Sequence, residues 1–298
     1  MTRAPIGLLR PGSASDPLVV VRSDTWGYNS IGFFSKDEAC VIDPGLRPED
    51  IDLLASAVMT RATTTPRRIS HVVVTHAHHD HIRGWDAFPG AEVLMPRVGA
   101  EKEAGPVARI LDAKRKLDER FALDLPAFSF PAPTDVCDER FAFRVGDLEA
   151  EVRFVPGHSN CTSVVWIPAL RTLCTADYLV SPGLPYCRWE PAPFETAIAT
   201  MRRWTVDEGI ERIVPAHHDL IEGQANILNA LDAESRYFVA MRAAVRDGLE
   251  RGDDEQHLCR SAIAAGAATR SQDYGVRAHQ DRDNARRVVL EMLATFDA

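Results

Sequence analysis

The chain carries three histidines and one aspartate suited to metal binding inside one short segment, at His76, His78, Asp80 and His81. Neutral imidazole and carboxylate are ligands that divalent first-row metals prefer. Packing alone explains such a segment poorly, because each buried polar group left without a partner costs about 1–3 kcal/mol. A metal ion would supply that partner. The segment therefore predicts a metal site and metal-assisted chemistry.

Further residues of the same types stand at the ends of other predicted strands. The apolar run at 69–75 predicts a buried strand that leads directly into the histidine cluster. His158, Asp177 and His217 each follow another predicted strand, and so does Asp43. In layered α/β proteins, ligands and catalytic groups collect where strands give way to loops. We therefore expect these side chains to be brought together from distant parts of the chain.

The composition narrows the class of partner. The chain has 298 residues, 45% hydrophobic and 26% charged, which suits one large globular domain or two modest ones. Its formal net charge is −9, and no run of Lys and Arg indicates a basic face. Nucleic-acid binders usually carry such a face. We expect a small-molecule substrate and no nucleic-acid partner.

Hydropathy and cysteine usage bear on location. No stretch approaches the roughly 20 apolar residues of a membrane-spanning helix, and residues 1–11 lack the apolar core of a signal peptide. The six cysteines form no C-x-x-C pair, which is typical of buried thiols in a reducing compartment. These features predict a cytoplasmic protein that does not engage a membrane.

Hydrophobic periodicity predicts an alternation of strands and helices. Strands are expected at 18–21, 31–34, 39–42, 69–75, 91–95, 148–155, 163–167, 172–175 and 212–214. Helices are expected from 48, at 106–121, at 192–208, from 222, at 254–265 and at 280–296. The proline-containing segment 122–138 is expected to be a loop, acting as a lid or as a plain surface connection.

The ordered set of strand-end residues resembles the signature of the metallo-β-lactamase superfamily, with a motif set similar to that of glyoxalase II. That signature is an Asp-Pro/Thr-Gly turn, H-x-H-x-D-H, a Gly-His, an Ala/Gly-Asp and a late Gly/Ala-His, which here are Asp43, His76 to His81, His158, Asp177 and His217. The resemblance implies an α/β fold, a four-layer αβ/βα sandwich. We expect residues 1–221 to form this catalytic domain. Residues 222–298 would be a helical extension that packs on it, builds a homodimer contact, or does both.

The resemblance also implies a ligand set. His76, His78 and His158 would bind one metal, and Asp80, His81 and His217 a second. Asp177 would bridge the two, and His217 fits the motif better than His218 does. Two Zn²⁺ ions per chain would activate a shared hydroxide as the nucleophile. The implied activity is hydrolysis of an ester, thioester, lactone or related acyl bond, with Asp80 also acting as a catalytic proton shuttle.

Several alternatives remain open at this point. Asp rather than Cys at 177 disfavours an antibiotic-hydrolysing branch, and His rather than Glu at 78 favours zinc over a diiron centre. A persulfide dioxygenase-type enzyme would instead use one Fe²⁺ per chain on His76, His158 and Asp177. Phosphodiester hydrolysis suits a two-metal site as well. A scaffold without activity would usually have lost ligands.

Other residues near the strand ends would support the site. Asp43 and His79 are expected beside the ligands, Asp43 orienting a ligand histidine or fixing its loop. Five residues in predicted loops either line a substrate pocket or anchor those loops. They are Trp26, Tyr28, Tyr186, Arg188 and Trp189.

Overall fold

The structure is a computed structural model. It describes residues 6–60, 65–121, 129–180, 184–270 and 278–296. The chain divides into two compact units. Unit 1 comprises Met1–Val155, Cys161–Ala176 and Ala216–His218, and unit 2 comprises Pro156–Asn160, Asp177–Pro215 and Asp219–Ala298. Within the described residues the fold is mixed α/β and includes two sheets and seven α-helices.

A seven-stranded sheet is the main element of unit 1. Its strands lie in chain order: β1 (Gly7–Pro11), β2 (Leu18–Arg22), β3 (Asn29–Phe34), β4 (Glu38–Ile42), β5 (Arg68–Val73), β6 (Glu92–Pro96) and β7 (Asp135–Cys137). Strands β1 to β4 pair antiparallel, whereas β4 to β7 pair parallel. Because β4 and β5 run in the same direction, their carboxyl ends meet at one edge, where Asp43 and the histidine cluster follow.

Helix α1 (Pro48–Met59) covers one face of this sheet. Its buried Leu54 and Val58 pack with strand residues such as Val41 in one apolar cluster. The approach to β3 is close, since a Cβ on Gly32 would lie 2.5 Å from Val58 Cγ1. Glycine at position 32 therefore allows this contact between helix and strand.

The remaining strands of unit 1 form an antiparallel meander. They are β8 (Arg140–Val145), β9 (Leu148–Phe154), β10 (Ser163–Ile167) and β11 (Thr172–Ala176), with a 3₁₀ turn at Pro168–Leu170 between the last two. Two helices complete the described part of the unit, α2 (Arg97–Ala100) and α3 (Ala104–Phe121). Leu117 of α3 joins Tyr28, Leu46 and Ala216 in a buried cluster.

Unit 2 is mainly helical. Its elements are α4 (Pro191–Asp207), β12 (Arg212–Pro215), β13 (Ile221–Glu222), α5 (Gln224–Arg251), α6 (Glu255–Ala268) and α7 (Ala278–Phe296). Helix α5 packs against α4, α6 and α7, and β12 pairs antiparallel with β13. Aromatic rings fill its centre, where Phe194 lies 5.2 Å from Phe238 and 5.1 Å from Tyr178. Among the helices in the described ranges, none has the length and apolar character needed to cross a membrane.

The structure corrects part of the secondary-structure prediction. The expected loop at 122–138 contains strand β7, whose three residues pair with β6. The first part of the segment, 122–128, where a lid or a surface connection was predicted, lies outside the described residues. Strands β1, β8 and β13 and the short helix α2 were not predicted. Strand β8 had a usable signal, because Gly146-Asp147 joins it to β9 in a two-residue hairpin turn.

Candidate metal centre

Asp43 organises the side chains at the edge where β4 and β5 end. Its carboxylate accepts hydrogen bonds from the Thr75 backbone N at 2.9 Å, the Thr75 hydroxyl at 2.7 Å and Nδ1 of His81 at 2.8 Å. All three residues are at most 2% exposed. Since His81 donates from Nδ1, the lone pair of its neutral ring stands on Nε2.

The same network orients His76. Its Nδ1 lies 3.0 Å from the Thr75 hydroxyl oxygen, which donates its only hydrogen to Asp43 and can therefore only accept from the ring. The lone pair of His76 then stands on Nε2, 2.9 Å from Nδ1 of His78. Two imidazole nitrogens this close can share one proton or one metal ion between them.

Asp80, His81 and His217 form a three-residue donor group within unit 1. Asp80 Oδ2 lies 3.8 Å from His81 Nε2 and 3.6 Å from His217 Nε2. The donor atoms of the three residues all lie within 4.8 Å of one another. With bonds of about 2.0–2.1 Å, neighbouring ligands of a tetrahedral zinc ion stand about 3.4 Å apart. The spacing therefore suits a metal ion better than a direct hydrogen bond.

The loop that follows β2 lies beside the group of Asp80, His81 and His217. The Trp26 carbonyl lies 3.4 Å from Nδ1 of His217, and the Trp26 ring meets His79 edge-on at 6.3 Å. Trp26 is 37% exposed, as a pocket wall would require. Tyr28 is fully buried and packs its ring 5.4 Å from His81 and 5.2 Å from His217. A fully buried ring is typical of a loop anchor, which was one of the two alternatives, and a pocket role for Tyr28 stays a prediction.

The chain turns sharply beside several of these residues. Trp26, Asp43, Ala176 and His218 all have positive φ, at 58°, 46°, 50° and 64°. Residues other than glycine seldom adopt this conformation, and such strain clusters at functional sites. At each position the backbone redirects the chain next to a residue of the predicted ligand set.

The other two predicted ligands lie in unit 2. His158 is fully buried, and its Nε2 lies 3.1 Å from Asp177 Oδ2. Its Nδ1 lies 2.6 Å from the Tyr186 carbonyl, which can only accept, so Nδ1 carries the hydrogen. The Tyr178 hydroxyl accepts from the His158 backbone N at 2.9 Å. A lone pair on Nε2 facing a carboxylate requires a cation between them, either a proton or a metal ion.

The segment 184–190 carries the remaining predicted pocket residues. Arg188 is exposed and its guanidinium lies 5.3 Å from the Tyr186 ring, while Trp189 is partly exposed. The Trp189 carbonyl accepts from Arg287 of α7 at 2.7 Å. Tyr186 is partly exposed, and its ring meets His158 at 6.2 Å and His279 at 6.0 Å. Tyr186 therefore has one contact with a predicted ligand and one with the C-terminal helix.

The model of one protein family covers most of the chain: the metallo-beta-lactamase superfamily, matched over residues 24–217. The chain belongs to the metallo-beta-lactamase superfamily. The match contains every residue of the predicted ligand set and ends before α5 to α7. The superfamily is mostly hydrolytic, and its fold usually binds metal ions. This member has His and Asp clusters that could hold a metal ion. No curated protein sequence matches the chain.

Three solved structures resemble the fold of this chain. The chain resembles a metallo-beta-lactamase from Pontibacter korlensis with a TM-score of 0.55 at 18% identity, over 76% of this chain and 99% of that one. For a metallo-beta-lactamase family protein from Thermus thermophilus the TM-score is 0.59 at 16% identity, and the alignment covers 91% of this chain and 89% of that one. The stereoselective inverting sec-alkylsulfatase from a Pseudomonas species gives 0.66 at 15% identity, over 98% of this chain. The chain spans 51% of that enzyme, about half its length.

These comparisons confirm the predicted α/β fold class of the superfamily. The sequence predicted the metal-type residues but not the residues that hydrogen-bond to them. Thr75, Tyr178 and the Tyr186 carbonyl were not recognised as hydrogen-bond partners of the histidines. Thr75 alone carried a signal, since it lies between the apolar strand and the first histidine.

Proposed function

We propose that this superfamily member is a metal-dependent hydrolase that cleaves an ester, thioester, lactone or related acyl bond. The observation that carries the proposal is the group of Asp80, His81 and His217, whose donor atoms lie within 4.8 Å of one another. The buried Asp43 carboxylate behind His81 supports it, because a carboxylate on the far nitrogen of a histidine is typical of metal ligands.

The proposed centre takes two Zn²⁺ ions and seven ligands. His76, His78 and His158 would hold one ion, Asp80, His81 and His217 the other, and Asp177 both. When bound, zinc supplies Lewis acidity that polarises a substrate carbonyl and makes water nucleophilic near neutral pH. The family match supports this set, since all seven residues lie within the matched region, residues 24–217.

The chain's own residues would perform the remaining tasks. Asp80 is proposed to shuttle a proton, because its side chain is partly exposed beside the metal-binding nitrogens of His81 and His217. The exposed Trp26 ring and the Arg188 guanidinium would contact the substrate, the first through its apolar face and the second through its charge. Residues 1–221 would form the catalytic domain and 222–298 a helical extension.

Metal analysis and activity together test the proposal. Protein purified without added metal should contain about two zinc ions per chain and should lose activity on a chromogenic ester or thioester after chelation. His78→Ala should lose most of its metal and activity. His257→Ala, which removes an exposed histidine of α6, should retain both. Full turnover of His78→Ala after loss of one metal would contradict the two-ion mechanism.

The same experiments separate the alternative reactions. One iron per chain with oxygen uptake on a persulfide would instead support a dioxygenase that uses His76, His158 and Asp177. Turnover of a chromogenic phosphodiester in preference to the ester would support a phosphodiesterase.

Sulfate-ester hydrolysis is a second candidate function. The alkylsulfatase alignment covers 98% of this chain, so it extends beyond the family match into the C-terminal helices. A secondary alkyl sulfate therefore belongs in the substrate panel. Release of sulfate at a rate above that of ester cleavage would favour this reaction.

A further inference from the structure

Asn284 of α7 forms hydrogen bonds with the segment 185–187, which lies against His158. Its side chain is fully buried. The Nδ2 group donates to the Pro185 carbonyl at 2.6 Å, and Oδ1 accepts from the Cys187 backbone N at 3.1 Å. One amide therefore holds the two peptide groups on either side of Tyr186.

The segment held in this way holds His158 in turn. The Tyr186 carbonyl accepts from His158 Nδ1 at 2.6 Å, and the Arg188 backbone N donates to the His158 carbonyl at 2.9 Å. The first bond determines which ring nitrogen carries the hydrogen, and the second fixes the backbone. The orientation of His158 Nε2 toward Asp177 therefore depends on where the peptide groups of residues 185–188 stand.

The chemistry at this position requires an amide. A carbonyl only accepts and a backbone N–H only donates, so the partner must offer one donor and one acceptor at fixed positions. The Tyr237 hydroxyl fixes the orientation of the amide, because it donates to Asp281 Oδ1 at 2.7 Å and accepts from Asn284 Nδ2 at 3.2 Å. An aspartate would bring a carboxylate oxygen against the Pro185 carbonyl, with repulsion in place of a hydrogen bond.

We infer that Asn284 is a positioning residue of the metal centre, acting on the ligand His158 through the Tyr186 carbonyl. The inference rests on the proposed function, in which His158 binds metal. It assigns a role to α7, which lies outside the region matched by the family. Direct partners of metal-bound histidines typically change metal affinity by about 10–100-fold when mutated, and Asn284 acts one step further away.

The test compares zinc affinity in full-length variants by competition with a chelator. Asn284→Asp keeps the size of the side chain and should weaken zinc binding by about 10-fold, the lower end of that range. Tyr237→Phe removes the bond that orients the amide, together with the bond from the hydroxyl to Asp281, and should give a smaller loss in the same direction. Arg282→Gln alters an exposed residue of the same helix and should bind zinc as the parent protein does.

A second readout separates positioning from general stability. In the metal-free protein, ¹⁵N NMR of the histidine rings should show a protected Nδ1–H for His158, assigned by its loss in His158→Gln. Asn284→Asp should lose this signal while its circular dichroism spectrum is retained. An unchanged signal and unchanged zinc affinity in Asn284→Asp would overturn the inference. If this variant does not fold, Tyr237→Phe decides by the same two measurements.

Failure of the proposed function would look different. If the parent protein binds no zinc, the metal-centre proposal fails. The NMR signal would still report whether Asn284 orients His158. If the parent protein binds zinc and both variants match it, only the positioning role fails.

Discussion

The Asp43 carboxylate lies 2.8 Å from Nδ1 of His81 and, through Thr75, also determines the orientation of His76. These residues follow the parallel strands β4 and β5, so the sheet itself brings the carboxylate to the histidines. Asp43, at the end of β4, thereby determines which ring nitrogens His76 and His81 would offer to a metal ion. Both histidines follow β5.

Asp43→Asn tests this relationship. Asparagine tolerates the positive φ of 46° at this position, so the backbone should be retained. It offers one accepting oxygen where the carboxylate offers two, and His81 should lose its fixed tautomer. Zinc affinity, measured by chelator competition, should fall about 10–100-fold. Asp52→Asn, on an exposed position of α1, serves as the control and should bind zinc normally.

The pair His217 and His218 offers a matched test of ligand assignment. His217 Nε2 lies 3.6 Å from Asp80, whereas the backbone of His218 is held by the Gly27 carbonyl at 2.7 Å and the Asn29 side chain at 2.8 Å. His217→Asn should lose about one metal ion per chain by elemental analysis, since one proposed site loses a ligand. Asparagine tolerates the positive φ at position 218, so His218→Asn should keep its backbone and retain the full metal content. The reverse result would assign the late motif to His218.

Gly157, directly before His158, should not accept a side chain. A Cβ there would lie 2.7 Å from Phe194 Cα and 2.6 Å from the Tyr178 hydroxyl, and the Phe194 backbone cannot move cheaply. Gly157→Ala should lower the free energy of unfolding by about 1–3 kcal/mol, measured by urea denaturation. Gly105→Ala is the control, because its Cβ would meet nothing closer than 3.8 Å in a helix. It should leave stability unchanged or raise it by about 0.4–1 kcal/mol.

His71 should make the protein more sensitive to acid. Burial lowers the pKa of His71 below its ordinary value of 6.5, against an opposing effect of Glu92 at 3.4 Å. The unfolded chain therefore takes up this proton first as the pH falls below 6.5, and the free energy of unfolding decreases. Urea midpoints at pH 7.5 and 5.5 should differ less in His71→Gln than in the parent protein. His257→Gln, at an exposed position, should retain the parent's difference between the two urea midpoints. If His71→Gln also retains that difference, His71 is not the source of the acid sensitivity.

The parts of the fold that were predictable are those whose sequence pattern is decided locally. Strands β2, β4 and β10 are continuous apolar runs, and α1 carries its core residues at helical spacing. Strand β1 has mostly exposed or half-exposed residues and exists because it pairs with β2. A three-residue strand such as β7 has too few positions to show a period, so only its pairing with β6 defines it.

The candidate site also contains residues that the sequence made predictable and residues that it did not. The metal-type residues are recognisable because imidazole and carboxylate cluster at strand ends in a familiar order. Their supports are ordinary residues whose partners are distant in sequence. Asn284 lies 97 residues from Cys187 in the sequence. Its sequence neighbours form no pattern that predicts a buried amide. Such roles follow from tertiary distances and not from any local pattern.

The histidines of this site receive their orientation from the protein's own hydrogen bonds, through Asp43, Thr75 and the Tyr186 carbonyl. Ordering those rings is therefore part of folding and is not deferred until an ion arrives. Capture of zinc should then proceed at a rate limited by diffusion and loss of hydration water. Titration calorimetry should accordingly show a heat-capacity change much smaller than that of a domain that folds around its metal.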